Sequence, residues 1–298
     1  MPRLALASCR SLPDWELDDR VFHHALARRG VDFTVLPWDA EVDWSGFGQC
    51  LIRTTWDYHL RLPEFLDWCG RVAEVTTLVP PLEVIRWNAD KRYLRDLAAL
   101  GVPILPTAWI ENTESLARGS WRSPLAGCDR GFIKPSVGAT ASDTLRFACT
   151  DAGFADAEAT LASIIDRGMT ALVQPYAASV ESDGERSAIV IAGRITHAVQ
   201  KTPVPGDYRV QNDWGGADEP TTLTDAEQRF VASTLAALHT IRSRWPDHDA
   251  TTPLLVARVD WLTVEGNPVL NELELIEPSL FFRHSAPCAE ELAARCAK

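Results

Sequence analysis

Apolar and polar positions change their period repeatedly along the first eighty residues. LALAS (4–8) is a short apolar run of strand length. DDRVFHHALARRG (18–30) has apolar residues at helical spacing and ends at Gly30, a natural residue just past a helix C-terminus. VDFTVLP (31–37) and the start of QCLIRTTWD (49–57) return to strands, and LPEFLDWCGRV (62–72) returns to helix. Strand–helix–strand alternation with short connections predicts a parallel, Rossmann-like unit. Ligands of such sheets lie beyond the carboxyl ends of strands. Here those ends carry Ser8-Cys9-Arg10 and Arg53-Thr54-Thr55-Trp56-Asp57. No G-x-G-x-x-G follows the first strand, so dinucleotide binding has no support.

The double proline at 80–81 marks a boundary, giving a first domain over 1–86. NADKRYLRDLAALG (88–101) predicts one helix with an Asn88 cap and Leu94, Leu97 and Ala98 facing a core. VPILPTAWI (102–110) is extended by its prolines. GFIKP (131–135) and TLRFAC (144–149) flank a small-residue loop, 136–143. FADAEATLASIIDRG (154–168) is helical and ALVQPY (171–176) is a strand, closing a central lobe over 87–176. In the remaining lobe, 177–298, residues 185–203 form a hairpin turning near Ala192-Gly193. Residues 206–220 have no period and read as a mobile loop. A long helix at 224–245 opens with a Thr-x-x-Glu capping box. An acidic hairpin (256–278) and a short helix follow; there is no internal repeat.

The net charge of −12 and pI near 5.0 argue against a nucleic-acid surface, and no apolar run is long enough to span a membrane. The N-terminal segment is a poor signal peptide. Seven scattered cysteines without C-x-x-C pairs argue against a disulfide framework or structural zinc and fit a reducing cytoplasm. Cys9, beyond the first strand, has no sequence-local basic partner beyond Arg10, which argues against a nucleophile.

VARVDWLTVEGNPVLNELELIEP (256–278) carries the sharpest chemistry. Arg258 and Asp260, then Glu272 and Glu274, are spaced i, i+2, which places each pair on one face of a strand. A three-residue loop at Glu265-Gly266-Asn267 opposes Asp260 to Glu272 and Arg258 to Glu274. Opposed carboxylates repel, and on an apolar face they need protonation or a hard cation such as Mg²⁺. An ordinary solvated sheet face is the bland alternative; Leu270, Leu273, Leu275 and Ile276 around the acids favour a site. FIKPSVGATASD adds Lys134 at a strand end before a loop whose Ser136 and Gly138 allow close approach to an anion. LVQPYAASVESDGE adds Gln174, Pro175 and Tyr176, which can meet an adenine edge, with Glu181 or Glu185 in reach of ribose hydroxyls.

Taken in order, these segments resemble the ATP-grasp superfamily in its glutathione-synthetase-like branch, over nearly the whole chain. The resemblance implies an α/β protein with a Rossmann-like N-terminal domain and two α+β lobes clamping ATP. It implies Lys91 and Lys134 on the α/β-phosphates and Gln174, Pro175 and Tyr176 around adenine, with Glu181 on ribose. Lys201 and Arg258 would meet the γ-phosphate or transition state, and Asp260, Glu272 and Glu274 would bind two Mg²⁺. Glu274 departs from the family's usual Asn. The implied reaction is carbon–nitrogen ligation through an acyl phosphate. RTTWDYHLRLPEF and EPSLFFRHSAP resemble a smaller group of stand-alone bacterial members. That implies an antibiotic-forming cyclo-ligase that closes O-ureido-D-serine to D-cycloserine, with Arg53, Asp57 and Arg283 on an amino-acid-like substrate. An intermolecular carboxylate–amine ligase and a non-catalytic nucleotide- or metal-binding module are the alternatives, and self-association stays open.

Overall fold

Leu4 and Leu6 point to one side of the first strand, Ala5 and Ala7 to the other, and both sides are buried. That is the mark of a strand inside a parallel sheet. In the computed structural model, which describes residues 3–12, 18–139, 141–246 and 249–297, strand β1 (Leu4–Ser8) is followed by α1 (Asp18–Arg28), β2 (Phe33–Pro37), β3 (Gln49–Thr54), α2 (Leu62–Val75) and β4 (Thr77–Val79). The four strands form an all-parallel sheet in the order β2-β1-β3-β4. Phe65, Trp68, Cys69 and Val72 of α2 cover one face. Phe22, Ala25 and Leu26 of α1 cover the other, joined there by Phe282, Leu292 and Ile189 from far along the chain.

The helix expected over 88–101 is shorter, α4 (Tyr93–Ala99), and a separate helix, α3 (Leu82–Asn88), ends where it was expected to begin. Asn88 does not cap the second. It lies at the end of the first, where its amide donates to the Leu273 carbonyl and accepts from the Leu275 N–H. Leu94 and Leu97 of α4 pack into the core of the C-terminal lobe, although the chain pattern had assigned them to the central one.

The central lobe contains β5 (Ala108–Ile110), α5 (Thr113–Ala117), β6 (Arg130–Pro135), β7 (Leu145–Ala148), α6 (Asp151–Asp166) and β8 (Ala171–Pro175). Its antiparallel sheet runs β5-β8-β6-β7 over a core of Ile133, Val173, Trp121, Leu161 and Ile164. Thr140, within the small-residue loop, lies outside the described residues. The C-terminal lobe adds α7 (Ser179–Ser182), β9 (Glu185–Ile191), β10 (Arg194–Thr202), β11 (Ala217–Thr221), α8 (Asp225–Arg242), β12 (Val256–Val264), β13 (Asn267–Glu274) and α9 (Ala286–Cys296). Its antiparallel sheet runs β11-β10-β9-β12-β13. The segment read as a wholly aperiodic loop thus ends in edge strand β11, which pairs Lys201 with Asp218. The capping box at Thr224 and Glu227 forms as expected.

The acidic hairpin reaches its expected register by an unexpected route. Its loop has two residues, Glu265 (φ 50°) and Gly266 (φ 77°), both left-handed, so Val264 pairs with Asn267. A β-bulge then places Asn271 outside the ladder, and beyond it Asp260 faces Glu272 and Arg258 faces Glu274. The shorter loop and the extra residue offset each other.

Candidate active site

A cavity of about 270 Å³ opens where the three sheets meet. Its walls include Lys91, Lys134, Gln174, Tyr176, Glu185 and Lys201, and the acidic hairpin supplies Arg258, Asp260, Glu272 and Glu274. Asp260 is 1 % exposed. It accepts bidentate donation from Arg258 at 2.9–3.1 Å, a hydrogen bond from Ser187 Oγ at 2.5 Å, and faces Lys201 Nζ at 3.5 Å. Burial opposes its charge, but Arg258 and Lys201 hold its carboxyl below the usual range. Glu272 faces Lys91 Nζ at 3.6 Å and Lys134 Nζ at 3.7 Å, and these two cations overcome burial in the same way. Among the described residues the Glu274 side chain bonds only the Arg258 guanidinium, which is already forked onto Asp260. One cation shared between two acids does not offset burial, and Glu274 is pushed up to about 7.

The repulsion between opposed acids is therefore relieved in this structure by interleaved cations. Among the described residues no group of three or more His, Cys, Asp or Glu side chains is already gathered around a metal position. The donor set nonetheless fits a hard cation, since all three acids are carboxylates on one wall of a cleft.

Lys134 ends β6 only 5 % exposed. Its Nζ donates to Asn271 Oδ1 at 3.0 Å, and burial pulls its pKa below the ordinary lysine value. Asn271 also donates to Glu185, which pairs with Lys201. The bulge thus gives the site a residue that periodicity passes over: an unpaired ladder position whose amide reaches two charged groups. Lys201 keeps a raised pKa, because Asp260 and Glu185 together outweigh its burial. Lys91 reaches the Gly138 carbonyl at 2.8 Å, tying the small-residue loop to the start of α4.

At the far end Gln174 donates to Thr107 Oγ1 at 2.9 Å, and Pro175 and Tyr176 line the wall. Tyr208 faces them edge-on, at 6.4 Å from Tyr176 and 5.2 Å from Phe132. The chain pattern gave no reason to single out Tyr208, Trp56, Tyr58 or Phe281, which also line the cavity.

Four expected contacts do not line it. Ser136 is buried, with Oγ on Asp90 at 3.1 Å, and acts as a brace behind the loop. Glu181 accepts from Tyr176 OH at 2.6 Å, Arg146 at 2.9 Å and Arg130 at 3.0 Å, while Glu185 is the acid that enters the cleft. Arg53, 1 % exposed, is committed to Asp19 at 2.8 Å and to the Pro278 carbonyl. Asp57 accepts from Trp38 Nε1 at 2.8 Å and pairs with Arg61 at 3.4 Å. At that strand end Trp56, between them in sequence, turns into the cavity. Arg283 does line it, anchored by Asp18 and Asp218.

Residues 4–80 match the family described as the D-cycloserine synthetase DcsG N-terminal domain. Over 267 residues the chain is 33% identical to the cycloserine biosynthesis protein DcsG of Streptomyces lavendulae, covering 84% of this chain and 83% of that one. Its fold superposes on the crystal structure of D-cycloserine synthetase DcsG with a TM-score of 0.87 and 28% identity, across 99% of this chain and 100% of the other. It also matches a D-alanine–D-alanine ligase from Bacillus anthracis with a TM-score of 0.68 at 12% identity, over 100% and 99% of the two chains, a likeness of fold. With its charged cleft built on that fold, the chain belongs to the D-cycloserine synthetase (DcsG) family of ATP-dependent ATP-grasp ligases.

Proposed function

We propose that this ligase activates the carboxylate of O-ureido-D-serine and closes it to D-cycloserine. The observation that carries the reading is the arrangement of Lys91, Lys134, Lys201 and Arg258 against Asp260, Glu272 and Glu274 in one cleft. A wall of this kind suits a polyphosphate. Phosphate oxygens would take the lysines from the acids, and the released carboxylates of Asp260, Glu272 and Glu274 would hold two Mg²⁺. The metal supplies neutralisation of phosphate charge. Adenine would lie against Gln174, Pro175 and Tyr176, Lys91 and Lys134 along the phosphates, and Lys201 and Arg258 at the transferring phosphoryl group.

The substrate carboxylate attacks the γ-phosphorus, the phosphorus–oxygen bond to ADP breaks, and an acyl phosphate forms. The ureido nitrogen bonded to the side-chain oxygen then attacks the acyl carbon and phosphate leaves. Water then cleaves the bond between the ring nitrogen and the carbamoyl carbon, and that group leaves as carbon dioxide and ammonia. The chain's own share is positioning and charge neutralisation, as is usual for phosphoryl transfer. Seven free cysteines fit a cytoplasmic setting, and among the described residues no helix is long and apolar enough to cross a membrane. The test is incubation with O-ureido-D-serine, ATP and Mg²⁺, followed by phosphate release and product mass. D-cycloserine formed by the wild type and abolished by Glu272→Gln supports the reading; no ADP formation with this substrate overturns it.

A further inference from the structure

Among the described residues, the charged groups on the cavity wall are almost all engaged with one another, and Glu277 is a carboxylate left over. It lines the cavity and is partly exposed to it, yet no cation and no other side chain lies within bonding distance. Lys91, Lys134, Lys201 and Arg258 are each already matched with Glu272, Asp260, Glu185 or Glu274.

Its mount is firm. The Glu277 carbonyl accepts from Trp56 Nε1 at 3.2 Å, the Pro278 carbonyl from Arg53 at 3.4 Å and the Ser279 carbonyl from Arg258 at 3.0 Å. Three consecutive carbonyls are thus pinned by the N-terminal domain and the acidic hairpin, while the side chain between them is left unmatched. Leaving a partly buried carboxylate without a partner costs free energy unless a cation arrives. ATP with bound Mg²⁺ brings phosphates to the lysines and metal to Asp260, Glu272 and Glu274, and neither calls for a further carboxylate at the domain junction.

We propose that Glu277 receives the α-ammonium of the amino-acid substrate and so selects amino acids over plain carboxylic acids. This rests on the reading that the cleft activates an amino-acid carboxylate. It moves to Glu277 the role that Asp57 cannot fill, since Asp57 is held by Trp38 and Arg61 outside the cavity. Burial and the neighbouring Glu274 raise the Glu277 pKa well above the usual carboxylate range, and a bound ammonium would restore its charge. Arg258, which bonds the Ser279 carbonyl on the same segment, lies beside it and would face the substrate's carboxylate end.

The experiment compares O-ureido-D-serine with its analogue lacking the α-amino group, in wild type, Glu277→Gln and Glu277→Asp, reading kcat and KM for each compound and KM for ATP. The wild type should prefer the amino acid. Glu277→Gln should lose about 10–100-fold in kcat/KM on the amino acid, mostly through KM, and little on the analogue, with KM for ATP unchanged. Glu277→Asp, which keeps the charge but withdraws it by one methylene, should fall between. Equal loss on both compounds, or unchanged preference in both variants, overturns the assignment. Should Glu277→Gln fail to fold, unchanged preference in Glu277→Asp alone decides against it. A wild type that turns over neither compound instead overturns the proposed function, so the two failures are distinguishable.

Discussion

Lys134 brings a full charge to the end of a buried strand, held by the Asn271 amide oxygen and the Glu272 carboxylate. Burial lowers its pKa, so a group that restores the charged form is favoured there. A phosphate is such a group. Lys134→Met should therefore weaken nucleotide binding by about 10–100-fold, the loss expected for one charge-assisted bond of about 1.5–3 kcal/mol, measured by titration calorimetry. Affinity within twofold of wild type would make Lys134 a buried structural lysine. At this scale the chain pattern located the acids and Arg258, because i, i+2 charges on an apolar strand are conspicuous; Lys134 was read from its strand end, and Lys91 and Lys201 from the family resemblance. It missed Asn271, because a bulge residue has no place in a two-residue period. It assigned Arg53, Asp57 and Glu181 to ligands where the structure holds each in an ion pair within the protein, because residue type alone does not separate the two.

At the scale of elements, the hairpin between β12 and β13 turns on Glu265 and Gly266, both at positive φ. Glycine takes that conformation freely, but glutamate does not. Glu265→Asn should stabilise the protein by about 0.5–1 kcal/mol without touching activity, since Asn-Gly favours such turns. For a chain of this size that is a rise of roughly 1–3 °C in melting temperature, readable by calorimetry. A fall would show that the Glu265 side chain serves the native state in another way. Helix ends were legible where capping chemistry was strong, as at Thr224 and Glu227. The break between α3 and α4 was not, because Asn88 serves the backbone of residues 273–275, nearly two hundred positions away.

At the scale of the molecule, Arg53 joins the N-terminal sheet to α1 through Asp19 and to the segment after the hairpin through Pro278. Arg53→Met should cost about 3–5 kcal/mol, the usual effect of breaking a buried pair, while KM for substrate and ATP stays within a fewfold of wild type. A large KM effect on a stable variant would return Arg53 to the substrate site. Acid should destabilise the whole protein through His23, His59 and His197, whose pKa values burial lowers from 6.5. Below pH 6.5 the unfolded chain binds protons that the folded one refuses. Stability from these groups is thus complete above about pH 6.5 and lost as pH falls toward the folded values. Melting temperatures between pH 5 and 7.5 would record the slope, and His197→Gln should flatten part of it. The packing of α9 on α1 carries a consequence in time. Arg28 meets Glu290, 262 positions later, and Leu292 and Phe282 close over Phe22 and Leu26. During synthesis on the ribosome the first domain therefore emerges with one greasy face bare, and it stays bare until nearly all of this chain has been translated. For that interval the apolar face of the first layer is exposed to water, because the residues that seal it are among the last to appear.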